Sequence, residues 1–201
     1  MHYRQAYLNA FEADCIELII HAYNTASAEK KYQKNWLEND FSELLCHYVN
    51  ESQLSLEKGI TCKTEKKLLT ETENQMKGYA DKLPRIDFGY FKIWKNQRFH
   101  CYMEAKRLKE KDSNLKRAYI DEGMNRFISQ KYPVGCMLGY LLEGKANKTI
   151  DGINKFLEKD NRNAEILISK NHKLINAYYE SNHLEIGTLK HLIFNFTSLS
   201  N

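Results

Sequence analysis

The chain has 201 residues, 42% of them hydrophobic, and a formal net charge of +4 at pH 7. A chain of this length and composition can bury a core as one soluble globular domain, and no apolar run approaches the roughly 20 residues that a transmembrane helix requires. The first residues, MHYRQAYLNAFEADC, lack the apolar stretch and small-residue cleavage site of a signal peptide, so we expect a cytoplasmic protein with no membrane association.

The first quarter of the sequence is predicted to be helical. Apolar residues recur at spacings of three and four from Tyr3 to Leu18, which predicts an amphipathic helix over residues 3–23. The same periodicity predicts a second helix from Trp36 to Val49.

Three strands are predicted next. The stretch ITCKTEKKLLT, residues 60–70, alternates as a strand does, and the polar stretch TETENQMKGYADK that follows predicts a mobile connection. RIDFGYFKIW and RFHCYMEAKRL are dense in aromatic and β-branched residues and are separated by KNQ. This pattern predicts a β-hairpin with a tight turn near Lys95 and Asn96.

The rest of the chain alternates helices and strands. SNLKRAYIDEGMNRFISQKY predicts a helix that stops at Pro133, and VGCMLGYLL predicts a buried strand. A helix is predicted over residues 149–159 with Thr149 as its cap, and LKHLIFNFTSL predicts the last strand.

This order of elements predicts the α/β class, with a mixed central β-sheet flanked by helices in a single domain. Within residues 1–201 we expect a helical N-terminal extension over 1–35, a core over 36–142, and C-terminal helices with the last strand over 143–201. The sequence contains no internal repeat, low-complexity tract or proline-rich linker.

The cysteines and histidines show no spacing typical of a metal site. The five cysteines are well separated and form no CxxC pair, so buried, reduced thiols are expected. The seven histidines form no HxxxH or HExxH pair.

Positive charge is concentrated in one part of the sequence. Residues 85–131 carry 12 Lys and Arg against 6 Asp and Glu, whereas residues 1–84 carry 10 against 13. A phosphate-rich partner would need such a segment, although charged stretches are more often only solvated surface.

Charged residues on the predicted hairpin fall on one sheet face. Strand alternation places Glu104 and Lys106 on the same face, and a turn near residue 95 places Asp87 opposite Glu104 within about one residue. Two neighbouring carboxylates repel each other unless a cation lies between them, and such oxygen ligands suit Mg²⁺ or Mn²⁺. The alternative is a solvated Glu/Lys pair of about 0–1 kcal/mol.

Asp87, sixteen intervening residues and then Glu104-Ala105-Lys106 resembles the PD-(D/E)XK signature of the restriction-endonuclease-like nuclease superfamily. The resemblance covers roughly residues 36–142 and implies a restriction-endonuclease-like fold. It implies that Asp87, Glu104 and the Ala105 carbonyl bind Mg²⁺ or Mn²⁺ and that Lys106 positions the attacking water. The chain departs from the signature before the aspartate, since Ile86 replaces the usual proline and Pro84 lies three residues before Asp87.

Members of this superfamily often add a glutamate from a helix that precedes the sheet. The stretch NWLENDFSELLCHYV offers Glu38 and Glu43. We favour Glu38 as a metal ligand because it precedes an expected helix cap at Ser42. An equally good explanation is a first-turn glutamate that the helix dipole favours.

Two further clusters are candidates for contacts with substrate. The helix after the motif offers four cations that could hold phosphates: Lys116, Arg117, Arg126 and Lys131. Ordinary solvated helix charges explain Lys116 and Lys131 equally well, and Arg126 is the better candidate because Phe127 and Ile128 anchor its turn. His183 could touch substrate, although a histidine at a helix end or in the core is commoner, and no nucleophile and base are recognisable around it.

The resemblance implies a metal-dependent nuclease that hydrolyses phosphodiester bonds, with DNA before RNA as substrate, in restriction, phage defence or repair. The alternative is a non-catalytic nucleic-acid or protein interaction module that has kept the fold. Whether the protein acts as a homodimer or with a partner subunit stays open at this point.

Overall fold

The described residues form a mixed seven-stranded sheet with helices on both faces. The structure is a computed structural model that describes residues 2–68, 79–132 and 135–198. The helices are α1 (His2–Glu29), α2 (Glu38–Glu51), α3 (Gln53–Lys58), α4 (Tyr79–Lys82), α5 (Ser113–Ala118), α6 (Asn125–Ile128) and α7 (Ala146–Lys159). The strands are β1 (Thr61–Lys67), β2 (Arg85–Trp94), β3 (Gln97–Lys109), β4 (Cys136–Glu143), β5 (Ile168–Ser169), β6 (Tyr178–His183) and β7 (Gly187–Asn195). Most of the polar stretch predicted to be mobile, residues 69–78, lies outside the described residues.

The long helix α1 is part of the main core. Its buried residues recur every three or four positions and include Phe11, Cys15, Leu18 and Ala22, which pack with Phe99 of β3 in one cluster. The stripe continues beyond the predicted end of the helix at residue 23. A helix packed in this way contributes to the same core as the sheet.

Helix α2 begins at Glu38, close to its predicted start. Its cap is Leu37, whose backbone N–H donates to the Asp40 carboxylate at 2.8 Å. The expected cap at Ser42 is wrong, because Ser42 lies within the helix and its hydroxyl donates to the Glu38 carbonyl at 3.1 Å.

The predicted hairpin is present in the expected register. β2 and β3 are antiparallel, with Trp94 opposite Gln97 and Phe88 opposite Met103. The two-residue turn places Lys95 and Asn96 at φ values of 45° and 62°, as a type I′ turn requires. The predicted strand before the hairpin is β1, which pairs antiparallel with β2.

The second half of the sheet contains parallel strands. β3, β4 and β7 are parallel neighbours, so the chain between β3 and β4 must cross over the sheet. This crossover is helical from Ser113 to Ile128, with a π-helical turn at Tyr119–Met124 between α5 and α6. Pro133, the predicted stop, lies outside the described residues.

The C-terminal region differs from prediction in two respects. Helix α7 starts at Ala146 with Lys145 as its cap, and the Thr149 hydroxyl donates back to the Lys145 carbonyl at 2.9 Å, so the predicted cap at Thr149 is wrong. The short strand β5 and strand β6 extend the sheet beyond β7 and were not predicted.

Two apolar layers lie on opposite sides of the sheet. Helices α1 and α2 cover one face, where Phe88, Met103 and Ala105 are buried. The crossover helices and α7 cover the other face, where Ile86 and Leu108 are buried. All five cysteines are buried and free, as expected. Within the described ranges, no helix is long and apolar enough to cross a membrane.

Candidate active site

The candidate site lies where β2 and β3 separate. The last pair of residues in the hairpin ladder is Phe88 and Met103, so Asp87 is the next position, opposite Glu104 in the same register. Residues two apart on a regular strand share one face of the sheet, but Ile86 and Phe88 are buried in the core layers on opposite faces. The alternation of β2 is therefore interrupted at Asp87. Beyond this point, side chains can lie between the two strands.

Asp87 bridges the gap between the strands with its side chain. Its carboxylate accepts the backbone N–H of Ala105 at 2.6 Å, and the residue is only 8% exposed. The structure therefore brings Asp87 to the Glu104-Ala105-Lys106 segment, as the hairpin register predicts.

The Lys106 ammonium lies among three oxygen atoms. Its Nζ donates to Glu38 Oε1 and Glu104 Oε1, both at 2.9 Å, and to the Ala105 carbonyl at 2.8 Å. An ammonium has three hydrogen-bond donors, so this set uses all of them. The side chain is almost completely buried.

Glu38 connects helix α2 to this part of β3. One carboxylate oxygen accepts from Lys106, and the other accepts the backbone N–H of Arg107 at 3.0 Å. The other glutamate considered, Glu43, is exposed and accepts from the Thr64 hydroxyl at 2.6 Å, outside this cluster. Glu38 is thus the helical glutamate at the site, and here it holds the lysine.

Glu104 is the most deeply buried carboxylate of the cluster, with 1% exposure. Its Oε1 accepts from both Lys106 and Arg126. Its Oε2 is buried and has no hydrogen-bond partner among the described residues. A buried carboxylate oxygen without a partner is costly, so this atom is available for a ligand.

Arg126 and Tyr132 complete the site from the crossover. Arg126 Nη1 contacts Glu104 at 2.5 Å and the Tyr132 hydroxyl at 3.1 Å, and that hydroxyl donates to the Arg85 carbonyl. Arg126, predicted to contact phosphate, is therefore an ion-pair partner of Glu104. Tyr132 was not predicted, since nothing in the local sequence indicates that the residue before Pro133 reaches β2.

The cluster contains more carboxylates than cations. Burial, together with the neighbouring Glu104 carboxylate, raises the pKa of Asp87 to about 8. Burial also raises the pKa of Glu104, against the opposing effect of Lys106 and Arg126. Burial opposes the charge of Lys106, but Glu104, Glu38 and Asp87 outweigh it and raise its pKa well above the ordinary value. The lysine stays protonated, and the two buried carboxylates would gain from an additional cation.

The oxygen atoms present fit a hard divalent cation. The available donors are the Asp87 carboxylate, Glu104 Oε2 and the Ala105 carbonyl, and Mg²⁺ typically uses one or two carboxylates and several waters. In the part of the chain that the structure describes, no group of three or more His, Cys, Asp or Glu side chains is arranged to hold a metal ion. A cation at this site would therefore depend on two carboxylates, one carbonyl and water.

The other predicted cations lie apart from the cluster or are already engaged. Lys116 is buried, and its ammonium donates to the Glu110 carbonyl at 2.8 Å. Arg117 makes two hydrogen bonds to Asp160. Lys131 is exposed in the turn after α6.

His183 belongs to a separate buried network. Its Nδ1 lies 2.8 Å from Glu165 Oε2 and its Nε2 lies 2.7 Å from Ser181 Oγ, which is the spacing of an acid, a base and a nucleophile. The sequence shows Ser181 two residues before His183, but the third member, Glu165, lies 18 residues before His183 and is not recognisable from local spacing. Ser181 also contacts His191 and is fully buried, so its hydroxyl cannot reach a substrate.

The cluster at the β2–β3 gap thus combines two buried carboxylates, an oxygen with no hydrogen-bond partner among the described residues, and a protonated lysine. These oxygen atoms are of the kind that a divalent cation prefers, and the lysine places a positive charge beside them. No known protein family, curated protein or solved structure shows significant similarity to this chain.

Proposed function

We propose that this protein is a metal-dependent nuclease of the PD-(D/E)XK type, with a restriction-endonuclease-like core, that hydrolyses phosphodiester bonds of nucleic acid. The observation that carries the proposal is the convergence of Asp87, Glu104 and Lys106 at the gap in the hairpin, where Glu104 Oε2 is buried and has no hydrogen-bond partner among the described residues. The order α2, β1, β2, β3, crossover helices and β4 supports it, since the resemblance implies that order.

Asp87, Glu104 and the Ala105 carbonyl would hold Mg²⁺ or Mn²⁺. When bound, the ion polarises the scissile phosphate and lowers the pKa of a water that it coordinates. Hydrolysis adds the hydroxyl of this water to phosphorus and its proton to the leaving oxygen, with no change of oxidation state.

Lys106 acts as a donor and a positive charge in this proposal. Because its pKa is raised, it cannot accept the proton of the attacking water. The N–H that Lys106 donates to the Ala105 carbonyl would become free when that carbonyl holds the ion. The ammonium would then orient the water and offset the negative charge that develops on the phosphate. Glu38 holds Lys106 in place from helix α2, and Arg126 holds Glu104 from the crossover.

The test is cleavage of labelled DNA and RNA by the purified protein in Mg²⁺, in Mn²⁺ and in chelator. We expect metal-dependent cleavage, with DNA cut in preference to RNA, and a loss of about 10²-fold or more in Glu104→Gln. Glu43→Gln is the matched control, since Glu43 is an exposed glutamate on the helix that carries Glu38. Cleavage that persists in Glu104→Gln, or no cleavage of either substrate by the wild-type protein, would contradict the proposal.

A non-catalytic interaction module is the second candidate. The observation that favours it is the ion pairing of Lys106 with Glu38 and Glu104, which already balances much of the charge within the protein. In that case the wild-type protein binds nucleic acid or another protein without cleaving any substrate, with or without metal.

A further inference from the structure

The end of the hairpin near its turn carries a cleft outside the candidate site. Basic and aromatic residues of β1, β2 and β3 line it, and we call it the hairpin cleft: Lys63, Lys66, Phe91, Lys92, Arg98 and His100. Its remaining lining residues are Thr61, Ile93 and Phe99, so no carboxylate is among them.

The cations of the hairpin cleft are available to a ligand. Lys63 and Arg98 are exposed, and Lys66 and Lys92 are half-buried. None of these four forms an ion pair with a carboxylate of the described residues, whereas the neighbouring Lys67 pairs with Asp81. A concave surface with four positive charges and no negative one favours a polyanion.

Aromatic rings continue this surface toward the candidate site. Phe91 and His100 meet edge to face, with ring centroids 5.1 Å apart, and His100 is parallel to Tyr102 at 6.1 Å. Lys66 Nζ lies 5.3 Å from the centre of the Phe91 ring. Strand alternation puts His100, Tyr102 and Glu104 on one face of β3. The rings therefore form a row that ends at the Glu104 carboxylate, and the length of strand from His100 to Glu104 is about 13 Å.

Gly89 makes room for the Phe91 ring. Gly89 lies opposite Lys63 on one side and Tyr102 on the other, between the basic and the aromatic residues. A Cβ at this position would lie 2.9 Å from Phe91 Cζ and 3.3 Å from Lys66 Cβ. The missing side chain lets the Phe91 ring lie over the strand.

We propose that the hairpin cleft and the adjacent rings bind an unpaired strand of nucleic acid and lead it to the candidate site. Lys63, Lys66, Lys92 and Arg98 contact phosphates, and bases stack on His100, Phe91 and Tyr102. A duplex hides its base faces, so aromatic rings beside a basic cleft favour a single strand; here the His100 ring is exposed, and the Phe91 and Tyr102 rings are half-buried. The distance from His100 to Glu104 corresponds to about four stacked nucleotides. The link to cleavage rests on the proposed function, but the binding itself does not.

The test is fluorescence anisotropy with a labelled 20-nucleotide DNA strand and with the same sequence as a duplex. Chelator is present throughout, so that binding is measured without turnover. We expect the single strand to bind at least tenfold more tightly than the duplex, and His100→Ala and Phe91→Leu each to weaken it about tenfold. In the double variant Lys63→Glu/Lys66→Glu, the slope of log affinity against log salt concentration should become shallower. The decrease should be the amount that corresponds to about two phosphate contacts.

Matched controls lie elsewhere on the surface. His47→Ala changes an exposed histidine of α2, and Lys155→Glu changes an exposed lysine of α7, and neither should alter binding. Equal affinity for strand and duplex, or unchanged binding in both His100→Ala and the double lysine variant, would overturn the inference. His100 is exposed, so its replacement does not threaten the fold.

The two proposals can fail separately. If Glu104→Gln abolishes cleavage and the cleft variants bind like the wild type, the nuclease proposal stands and the single-strand cleft does not. If the cleft variants lose binding while the wild-type protein cleaves nothing, the cleft stands and the nuclease proposal does not.

Discussion

The backbone N–H of Ala105 donates to the Asp87 carboxylate at 2.6 Å, immediately past the last ladder pair of the hairpin. A side chain thus takes the position that a backbone carbonyl would hold in a continued ladder. This bond holds Asp87 beside Glu104. Burial, and to a smaller extent the neighbouring Glu104 carboxylate, raises the pKa of Asp87 to about 8. The geometry therefore favours a cation at this point.

Asp87→Asn should abolish metal binding while the fold persists, because the amide cannot ionise when a cation binds. At neutral pH the Asp87→Asn amide resembles the protonated acid in size and can still accept the Ala105 N–H. We expect Mg²⁺ or Mn²⁺ at a hundred times its dissociation constant to stabilise the wild-type protein by about 2.7 kcal/mol and Asp87→Asn by almost nothing. Thermal melts with and without metal measure this, and an equal shift in both proteins would show that the ion binds elsewhere.

Replacement of Lys106 should separate catalysis from metal binding. In Lys106→Met the metal-dependent rise in melting temperature should remain, because the three oxygen donors are unchanged. Cleavage should fall by about 10²-fold or more, since the donor beside the phosphate is lost. The loss of a buried ion-pair partner also costs roughly 3 kcal/mol of stability, so the comparison is made below the melting temperature of the variant. If both metal binding and cleavage disappear, Lys106 is not a catalytic donor.

Glu38 should act through Lys106. In Glu38→Gln the amide oxygen can still accept from the ammonium, but one of the two carboxylate charges that pair with it is lost. The amide nitrogen cannot accept the Arg107 N–H, so that hydrogen bond is lost as well. We expect a fall of about tenfold in the cleavage rate, with metal affinity nearly unchanged. Glu43→Gln serves as the control on the same helix. A large loss of metal affinity in Glu38→Gln would instead identify Glu38 as a ligand.

The hairpin and the positions of Asp87, Glu104 and Lys106 could be predicted because they follow from local rules. Alternation and a two-residue turn determine which residues of adjacent strands face each other. The fold class could be predicted for the same reason, since periodicity identifies most helices and strands.

The remaining features depend on packing between distant segments. Glu38 was selected for a wrong reason, the cap at Ser42, and its contact with Lys106 depends on how α2 lies against β3. Arg126 and Lys116 have partners that periodicity does not identify. Strand β6 escaped prediction because polar Ser181 and His183 point inward, which hides the alternation of a half-buried strand.

The buried network around His191 should make stability depend on pH, independently of metal. His191 is fully buried, with Nδ1 2.9 Å from the Tyr119 hydroxyl and Nε2 2.8 Å from Ser181 Oγ. Burial, and to a smaller extent His183, lowers its pKa to about 3. The unfolded chain takes up a proton at this residue near pH 6.5, whereas the folded protein resists it down to about pH 3.

The contribution of His191 to the free energy of unfolding should therefore fall by about 1.4 kcal/mol per pH unit as the pH is lowered through this window, and should be fully present above pH 6.5. Asp87, whose pKa is raised to about 8, contributes a slope of the opposite sign over the same range, so the His191 contribution is measured as a difference between variants. Urea denaturation at a series of pH values from 7 to 4 in chelator measures the slope. The difference in slope between the wild-type protein and His191→Gln should equal most of the His191 contribution, whereas the exposed His47→Gln should have the wild-type slope. A wild-type slope that His191→Gln leaves unchanged would mean that other groups take up the protons, and the neutral, hydrogen-bonded state of His191 would then not stabilise the fold.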